Sequence, residues 1–181
     1  YVGGLASFLE NESEPCTHAI VSVGIEELAN TTIQLLQHGV KNILVEKPGG
    51  LYSHEFQKVS KLTQQHNAKV FIGYNRRFYA STLAAQEIIR RDGGVSSFNF
   101  EFTEWTHEIE TLKLSREIKE NWFLANSTHV VDLAFHLGGK PKEMASYTSG
   151  GIEWHRSASI FSGAGMSESG ALFNYHANWE S

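Results

Sequence analysis

The stretch Asn42-Ile43-Leu44-Val45-Glu46-Lys47-Pro48-Gly49-Gly50 decides the fold class of this chain. Its three apolar residues run directly into a charged pair, a proline and two glycines, which predicts a short buried parallel strand. In open α/β sheets the ligand crevice lies at the carboxyl ends of the strands, so Lys47 is a candidate proton donor. Pro48 fixes its own φ and restricts the residue before it, which aims the lysine. The alternative is an ordinary strand-to-helix turn with a solvated Glu46-Lys47 pair.

Strand and helix signals alternate on both sides of this stretch. Strands are predicted at 19–23, 42–45 and 70–73, and helices at 26–38 and 53–66. Gly39 comes just after the first of these helices, as is common at helix ends. Alternation with short connections predicts a parallel sheet with right-handed crossovers. We therefore predict that residues 1–75 form the second half of a Rossmann-like, dinucleotide-binding domain.

The pattern changes after Phe78. Phe98, Phe100 and Phe102 alternate with polar residues, which predicts a half-buried strand of an antiparallel sheet. An apolar helix is predicted at 127–137, capped by Asn126 or Ser127, whereas 106–120 is predicted to be a long connection. Further strands are predicted at 144–148, 157–162 and 171–179, so the overall fold class is α/β, with residues 76–181 forming an α+β domain on an open, mainly antiparallel sheet. The last strand has one aromatic face, which is either an oligomer interface or is covered by a second core layer from residues after Ser181.

Bulk composition limits the classes of partner. The chain has 181 residues, of which 41% are hydrophobic and 19% charged, and its net charge is −5. This charge leaves no basic footprint for nucleic acid. No apolar run is long enough to span a membrane, and no signal peptide is visible. The single cysteine, Cys16, excludes an internal disulfide and favours a cytoplasmic location.

Three segments together carry a family resemblance: Glu46-Lys47-Pro48, Gly73-Tyr74-Asn75-Arg76-Arg77-Phe78 and Asn126-Ser127-Thr128-His129-Val130-Val131-Asp132. They resemble the Gfo/Idh/MocA family of NAD(P)-dependent sugar and cyclitol oxidoreductases, over nearly all of the chain. The resemblance implies hydride transfer between NAD or NADP and a carbinol of a sugar, cyclitol or related polyol. It also implies a small sugar-like substrate and, together with the sheet pattern, a homo-oligomer.

The resemblance also implies site residues and a cis Lys47–Pro48 bond. Lys47 and His129 would be catalytic, although a lone histidine on a buried helix is more often part of the core. Cofactor contacts would come from Ser22, Val23, Gly24, Glu46, Lys47, Pro48 and Asn75. Substrate contacts would come from Tyr74, Arg76, Arg77, Asn126 and Asp132. An arginine here could bind a substrate carboxylate or phosphate, or could form an interdomain ion pair. Asp132 could instead be a structural partner of His129 or Arg77.

Two departures from the family pattern leave other functions open. Ala125 stands where many members have an aspartate one turn before the histidine, and only Asn126 or Asp132 is at hand to compensate. The loop Gly24-Ile25-Glu26-Glu27 lacks the family's proline–asparagine turn and histidine. A non-catalytic, ligand-sensing member is therefore an alternative.

A second alternative is a metal-dependent lyase or hydrolase. Its ligands would be His129, Asp132 and His136, which share a helical face. Because residues i and i+7 lie about 11 Å apart along a helix, we assign no metal ligand.

The Gly-x-Gly-x-x-Gly turn of dinucleotide-binding domains does not occur after a strand in this sequence. The chain starts without methionine and stops within a predicted strand, so we expect a fragment. By itself it should bind dinucleotides weakly and be inactive, because the pyrophosphate is held by that turn. The choice between NAD and NADP and the identity of the sugar stay open. An open sheet edge beside 19–23 is expected to favour association.

Overall fold

The computed structural model describes residues 3–12, 14–155 and 157–180. The chain divides into two compact units, Tyr1–Gly73 and Tyr74–Ser181. The division falls two residues before the predicted domain boundary after residue 75. Each unit has its own sheet.

The first unit is built on a parallel sheet. Its elements are α1 (Gly4–Asn11), β1 (His18–Val21), a 3-10 helix (Ile25–Glu27), α2 (Leu28–His38), β2 (Asn42–Glu46), α3 (Ser53–Gln65) and β3 (Lys69–Gly73). The strand order is β1-β2-β3, with both pairs parallel, so β2 is the central strand. The predicted parallel sheet with helical crossovers is confirmed.

One face of this sheet carries the core of the unit. Successive side chains of a strand point to opposite faces, so alternate residues are buried together. The core consists of Val21, Leu28, Leu35, Leu36, Val40, Ile43 and Val45. On the opposite face Ile20, Leu44 and Phe71 lie in register across the three strands and are 78%, 44% and 61% exposed. Since parallel sheets are normally covered on both faces, this apolar row marks a face that the described residues leave open.

The second unit is α+β. Its elements are a 3-10 helix (Asn75–Phe78), α4 (Ala80–Arg91), β4 (Ser97–Glu101), α5 (Thr106–Thr111), α6 (Arg116–Glu120), a π-helix (Phe123–Ser127), α7 (Thr128–Gly138), β5 (Pro141–Ser149), β6 (Ile160–Ser167) and β7 (Leu172–Asn178). The sheet order is β4-β7-β6-β5, and β5–β6 and β6–β7 are antiparallel. The predicted mainly antiparallel sheet is confirmed.

Two details of the second unit were predicted wrongly. The strand β4 pairs with β7 in parallel, not antiparallel, because alternation of apolar residues reports half-burial and not the direction of the neighbour. The segment predicted as a plain connection holds the short helices α5 and α6. Ser115 caps α6 by accepting a hydrogen bond from the Ile118 backbone N–H at 3.3 Å.

An aromatic cluster lies between α7 and the sheet and lines a cavity of about 220 Å³. Phe135 of α7 meets Phe173 of β7 edge-on, with ring centroids 5.1 Å apart, and Phe98 of β4 stacks on Phe173 at 5.4 Å. Trp179 is buried, and its Nε1–H donates to the carbonyl of Phe102 at 3.1 Å. The aromatic face of the last strand is therefore inside the unit. It is therefore not an exposed oligomer interface, and the layer that covers it is α7 and not, as the alternative expected, residues after Ser181.

Among the described residues, no helix has both the length and the apolar character needed to cross a bilayer.

Candidate functional site

The Glu46-Lys47-Pro48 turn directly follows the central strand of the first unit. The Lys47 backbone N–H donates to the Glu46 carboxylate at 2.8 Å, and the Lys47–Pro48 peptide bond is cis, as the resemblance implied. Pro48 is buried, whereas Lys47 is half-buried. The turn is thus anchored on its proline side and places the lysine at the carboxyl edge of the sheet, where ligands bind in α/β folds.

The turn after β2 requires a glycine at position 49. Its φ is +87°, and a Cβ at this position would clash with Cδ1 of Ile72 on the neighbouring strand β3. Only glycine combines this backbone conformation with so close an approach. The close approach fixes the path of the chain directly after Lys47.

The predicted cofactor contacts Ser22, Val23 and Gly24 follow β1 and are all exposed. Because β1 and β2 are parallel and paired Val21 to Val45, these residues lie at the same sheet edge as the lysine turn. The 3-10 helix that follows carries Glu26 and Glu27 in its first turn. Negative side chains at a helix start disfavour a bound phosphate, so this edge does not suit a pyrophosphate.

The second unit contains a bidentate ion pair between Arg77 and Asp132. Nε of Arg77 donates to one carboxylate oxygen at 2.8 Å, and Nη2 donates to the other. The carboxylate holds the pKa of the arginine above its usual value. Of the two alternatives for Arg77, the structure shows the ion pair, but within one unit and not between two. The prediction that Asp132 orients a partner is met by this contact.

Tyr74 joins the ion pair to His129. The rings of Tyr74 and His129 meet edge-on, with centroids 6.0 Å apart and an interplanar angle of 85°. Cζ of Arg77 lies 5.8 Å from the centroid of the tyrosine ring, a cation–π contact. Burial raises the pKa of Tyr74; a hydrogen bond with Thr128 and the charge of Arg77 act against it, and Asp132 adds to it. The phenol is therefore neutral near pH 7 and can donate a hydrogen bond.

Asn126 and Ser127 do not cap α7 as predicted. The side-chain N–H groups of Asn126 donate to the two carboxylate oxygens of Glu104 at 2.8 and 3.1 Å, and the Ser127 hydroxyl donates to one of them at 2.7 Å. The reason is that the π-helix runs directly into α7, with helical φ and ψ of −66° and −20° at Ser127. No helix start exists at this point that a side chain could cap.

The remaining predicted site residues of this unit make fewer side-chain contacts. Asn75 is exposed and Arg76 half-buried in the 3-10 helix, where the Arg76 carbonyl accepts a hydrogen bond from Thr82 at 2.7 Å. Ala125 is buried. The structure thus brings together Tyr74, Arg77, His129 and Asp132 and adds Thr128 and Glu104, which sequence reasoning did not single out.

The alternative metal site is not supported. Asp132 is paired with Arg77, and the side-chain amide N–H of Gln86 donates to Nε2 of His136 at 2.9 Å. Over the part of the chain that the structure describes, no group of three or more His, Cys, Asp or Glu side chains is placed to hold a metal ion. Asp132 and His136 therefore serve other contacts.

Comparisons with known proteins show the fold. No protein-family model matches the sequence, and no curated protein is similar to it in sequence. Solved structures do match. The WlbA dehydrogenase from Bordetella pertussis, in complex with NADH and UDP-GlcNAcA, is 14% identical, with a TM-score of 0.78 over 97% of this chain and 55% of its own. Levoglucosan dehydrogenase, in complex with NADH and levoglucosan, is 17% identical, with a TM-score of 0.73 over 97% and 50%.

An NAD-binding oxidoreductase from Klebsiella pneumoniae is 16% identical, with a TM-score of 0.74 over 94% of this chain and 50% of its own. Identities at this level establish a shared fold alone. This chain spans about half the length of these structures.

Proposed function

We propose that this chain is part of an NAD(P)-dependent oxidoreductase that transfers a hydride between nicotinamide and a carbinol of a sugar, cyclitol or related polyol. The observation that carries the proposal is the Glu46-Lys47-Pro48 turn at the carboxyl end of a central parallel strand. The fold similarity to dehydrogenases crystallised with NADH, over 97% of the chain, adds support. Fold alone does not determine function, which is why the lysine turn carries the argument.

In this proposal Lys47 and His129 handle the proton. An imidazole titrates near neutral pH and suits general acid–base work, and a half-buried lysine can act as a proton donor. The cofactor, when bound, supplies the hydride chemistry, and the protein supplies position and electrostatics. The neutral phenol of Tyr74 would donate a hydrogen bond to a substrate oxygen. The Arg77–Asp132 pair would hold that tyrosine in place, so Arg77 is not proposed as a ligand for a substrate anion.

The described residues fit the nicotinamide side of a dinucleotide better than its pyrophosphate. The exposed segment 22–24 shares one sheet edge with the turn at 46–48, in which Lys47 is half-buried and Pro48 buried, and Asn75 follows β3. In contrast, Glu26 and Glu27 disfavour phosphate at the nearby helix start. We therefore expect the 181-residue chain by itself to bind NAD⁺ or NADP⁺ weakly and to show no turnover.

We also propose a cytoplasmic homo-oligomer. The exposed free thiol of Cys16 fits a reducing compartment. The strand β1 is the end strand of its sheet, and its Ile20 is largely exposed. Such an edge favours pairing with another chain. Light scattering measures the association, and a monomer at all concentrations would contradict it.

The deciding experiment uses the full-length protein. Reduction of NAD⁺ and NADP⁺ is followed by absorbance with a panel of sugars and cyclitols. Lys47→Ala should lower turnover by roughly 10²–10⁴-fold if the lysine is a general acid–base group. Lys69→Ala is the matched control, because Lys69 is exposed at the opposite, amino-terminal end of β3. Unchanged turnover in Lys47→Ala would reject its role, and a protein that reduces neither cofactor with any polyol would reject the function.

A further inference from the structure

Glu104 reaches the start of the helix that carries His129. It lies beyond the end of β4, 22 residues before Asn126 in sequence. Its carboxylate accepts three hydrogen bonds from two consecutive side chains, those of Asn126 and the buried Ser127. Hydrogen bonds to an ionised acceptor are roughly twice as strong as neutral ones, so Glu104 holds these two side chains strongly.

The anchored residues belong to a π-helix that leads into α7. Within it the backbone N–H of Thr128 donates to the carbonyl of Phe123, five residues earlier. Such wide turns are rare, and they frequently occur at functional sites. A wide turn changes the rotation of everything that follows it, so it sets the direction in which the His129 side chain leaves the helix. His129 lies only two residues beyond Ser127.

We infer that Glu104 is a positioning residue for His129: it holds the wide turn through Asn126 and Ser127 and so keeps the histidine ring against Tyr74. The carboxylate beside the π-helix thus comes from another element, since Ala125 offers none. That the positioned His129 is catalytic rests on the proposed function, whereas its positioning by Glu104 does not.

The test is nuclear magnetic resonance on the 181-residue chain with labelled histidine and tyrosine, His129 being assigned by His129→Gln. In the parent chain, cross-peaks should join the Tyr74 and His129 rings, and the His129 ring protons should carry a ring-current shift. Glu104→Gln should abolish the cross-peaks and move the His129 shifts toward their unfolded values. Asn126→Ala, at an exposed position, should act in the same direction because it removes two of the three hydrogen bonds.

Glu143→Gln is the matched control, since it removes the same charge from an exposed position on β5 and should leave both signals unchanged. If the Glu104→Gln chain fails to fold, Asn126→Ala decides. Cross-peaks and shifts that survive in a folded Glu104→Gln or Asn126→Ala chain would overturn the inference. A full-length protein without dehydrogenase activity would reject the proposed function and leave this result standing, because the ring contact is measured without turnover.

Discussion

Replacing Arg77 should destabilise the second unit more than replacing its partner Asp132. The side chain of Asp132 is 11% exposed and that of Arg77 is 41% exposed. Arg77→Met leaves an almost buried carboxylate without a counter-charge. Asp132→Asn leaves a guanidinium that water can still reach. The same ion pair is broken in both variants, so the difference between them isolates the penalty of burying an unpaired charge.

The exposures set the expected magnitudes. Removing one partner of a fully buried pair costs about 3–5 kcal/mol, and exposed pairs contribute about 0–1 kcal/mol. We expect Arg77→Met to lower the free energy of unfolding by about 2–3 kcal/mol, near the buried limit. Asp132→Asn should lower it by about 1 kcal/mol, near the exposed limit. The double variant should cost less than the sum of the two, because it leaves no unpaired charge.

Tryptophan fluorescence during urea unfolding is the assay. All four tryptophans lie in the second unit, so their emission reports that unit alone. Linear extrapolation gives the free energy of unfolding for each variant. Glu87→Gln is the control: it breaks the exposed pairs with Arg90 and Arg91 on α4 and should change nothing measurable. Equal costs for the two single variants, or a larger cost for Asp132→Asn, would refute the reasoning.

Three further predictions follow from burial. Burial lowers the pKa of His155 below its ordinary 6.5, so the free energy of unfolding should fall as pH drops below 6.5 toward the folded pKa. In urea titrations of His155→Gln, the part of this pH dependence that comes from His155 should vanish. Gly138→Ala should cost about 1–3 kcal/mol in the fluorescence assay, because its Cβ would clash with the Phe98 ring, whereas Gly151→Ala, in open space, should be neutral. Leu36→Ala, in the core of the first unit, should cost about 2–5 kcal/mol, seen as faster amide exchange in β1–β3; unchanged exchange would contradict the core assignment.

The first unit was predictable from sequence because its signals are local. The strand predicted at 42–45 is observed as Asn42–Glu46, and the helix predicted at 53–66 as Ser53–Gln65. Each strand centres on a short apolar run that ends near turn residues, and each helix has an apolar face. The strands were expected to be buried, whereas one face of the sheet is exposed at Ile20, Leu44 and Phe71. The cis Lys47–Pro48 bond, which the family resemblance implied, is also observed.

Several features of the second unit could not be predicted from local sequence signals. The direction in which β4 pairs depends on β7, more than 70 residues later, and alternation in β4 carries no information about it. The Arg77–Asp132 pair spans 55 residues, so a sequence pattern could suggest its members but not their contact. The helices α5 and α6 have 6 and 5 residues, too few for a periodic pattern to emerge.

Ala125 is the most instructive case, because it weakens the catalytic interpretation when only neighbouring residues are considered. Along the chain, compensation for the absent aspartate can come only from Asn126 or Asp132. In the structure Asp132 is committed to Arg77, and Asn126 donates its hydrogen bonds to Glu104. The carboxylate at the start of α7 is thus supplied from 22 residues upstream, through a hydrogen bond that no spacing rule could reveal. An alanine at this position thus leaves a carboxylate, that of Glu104, hydrogen-bonded to the two residues that precede α7.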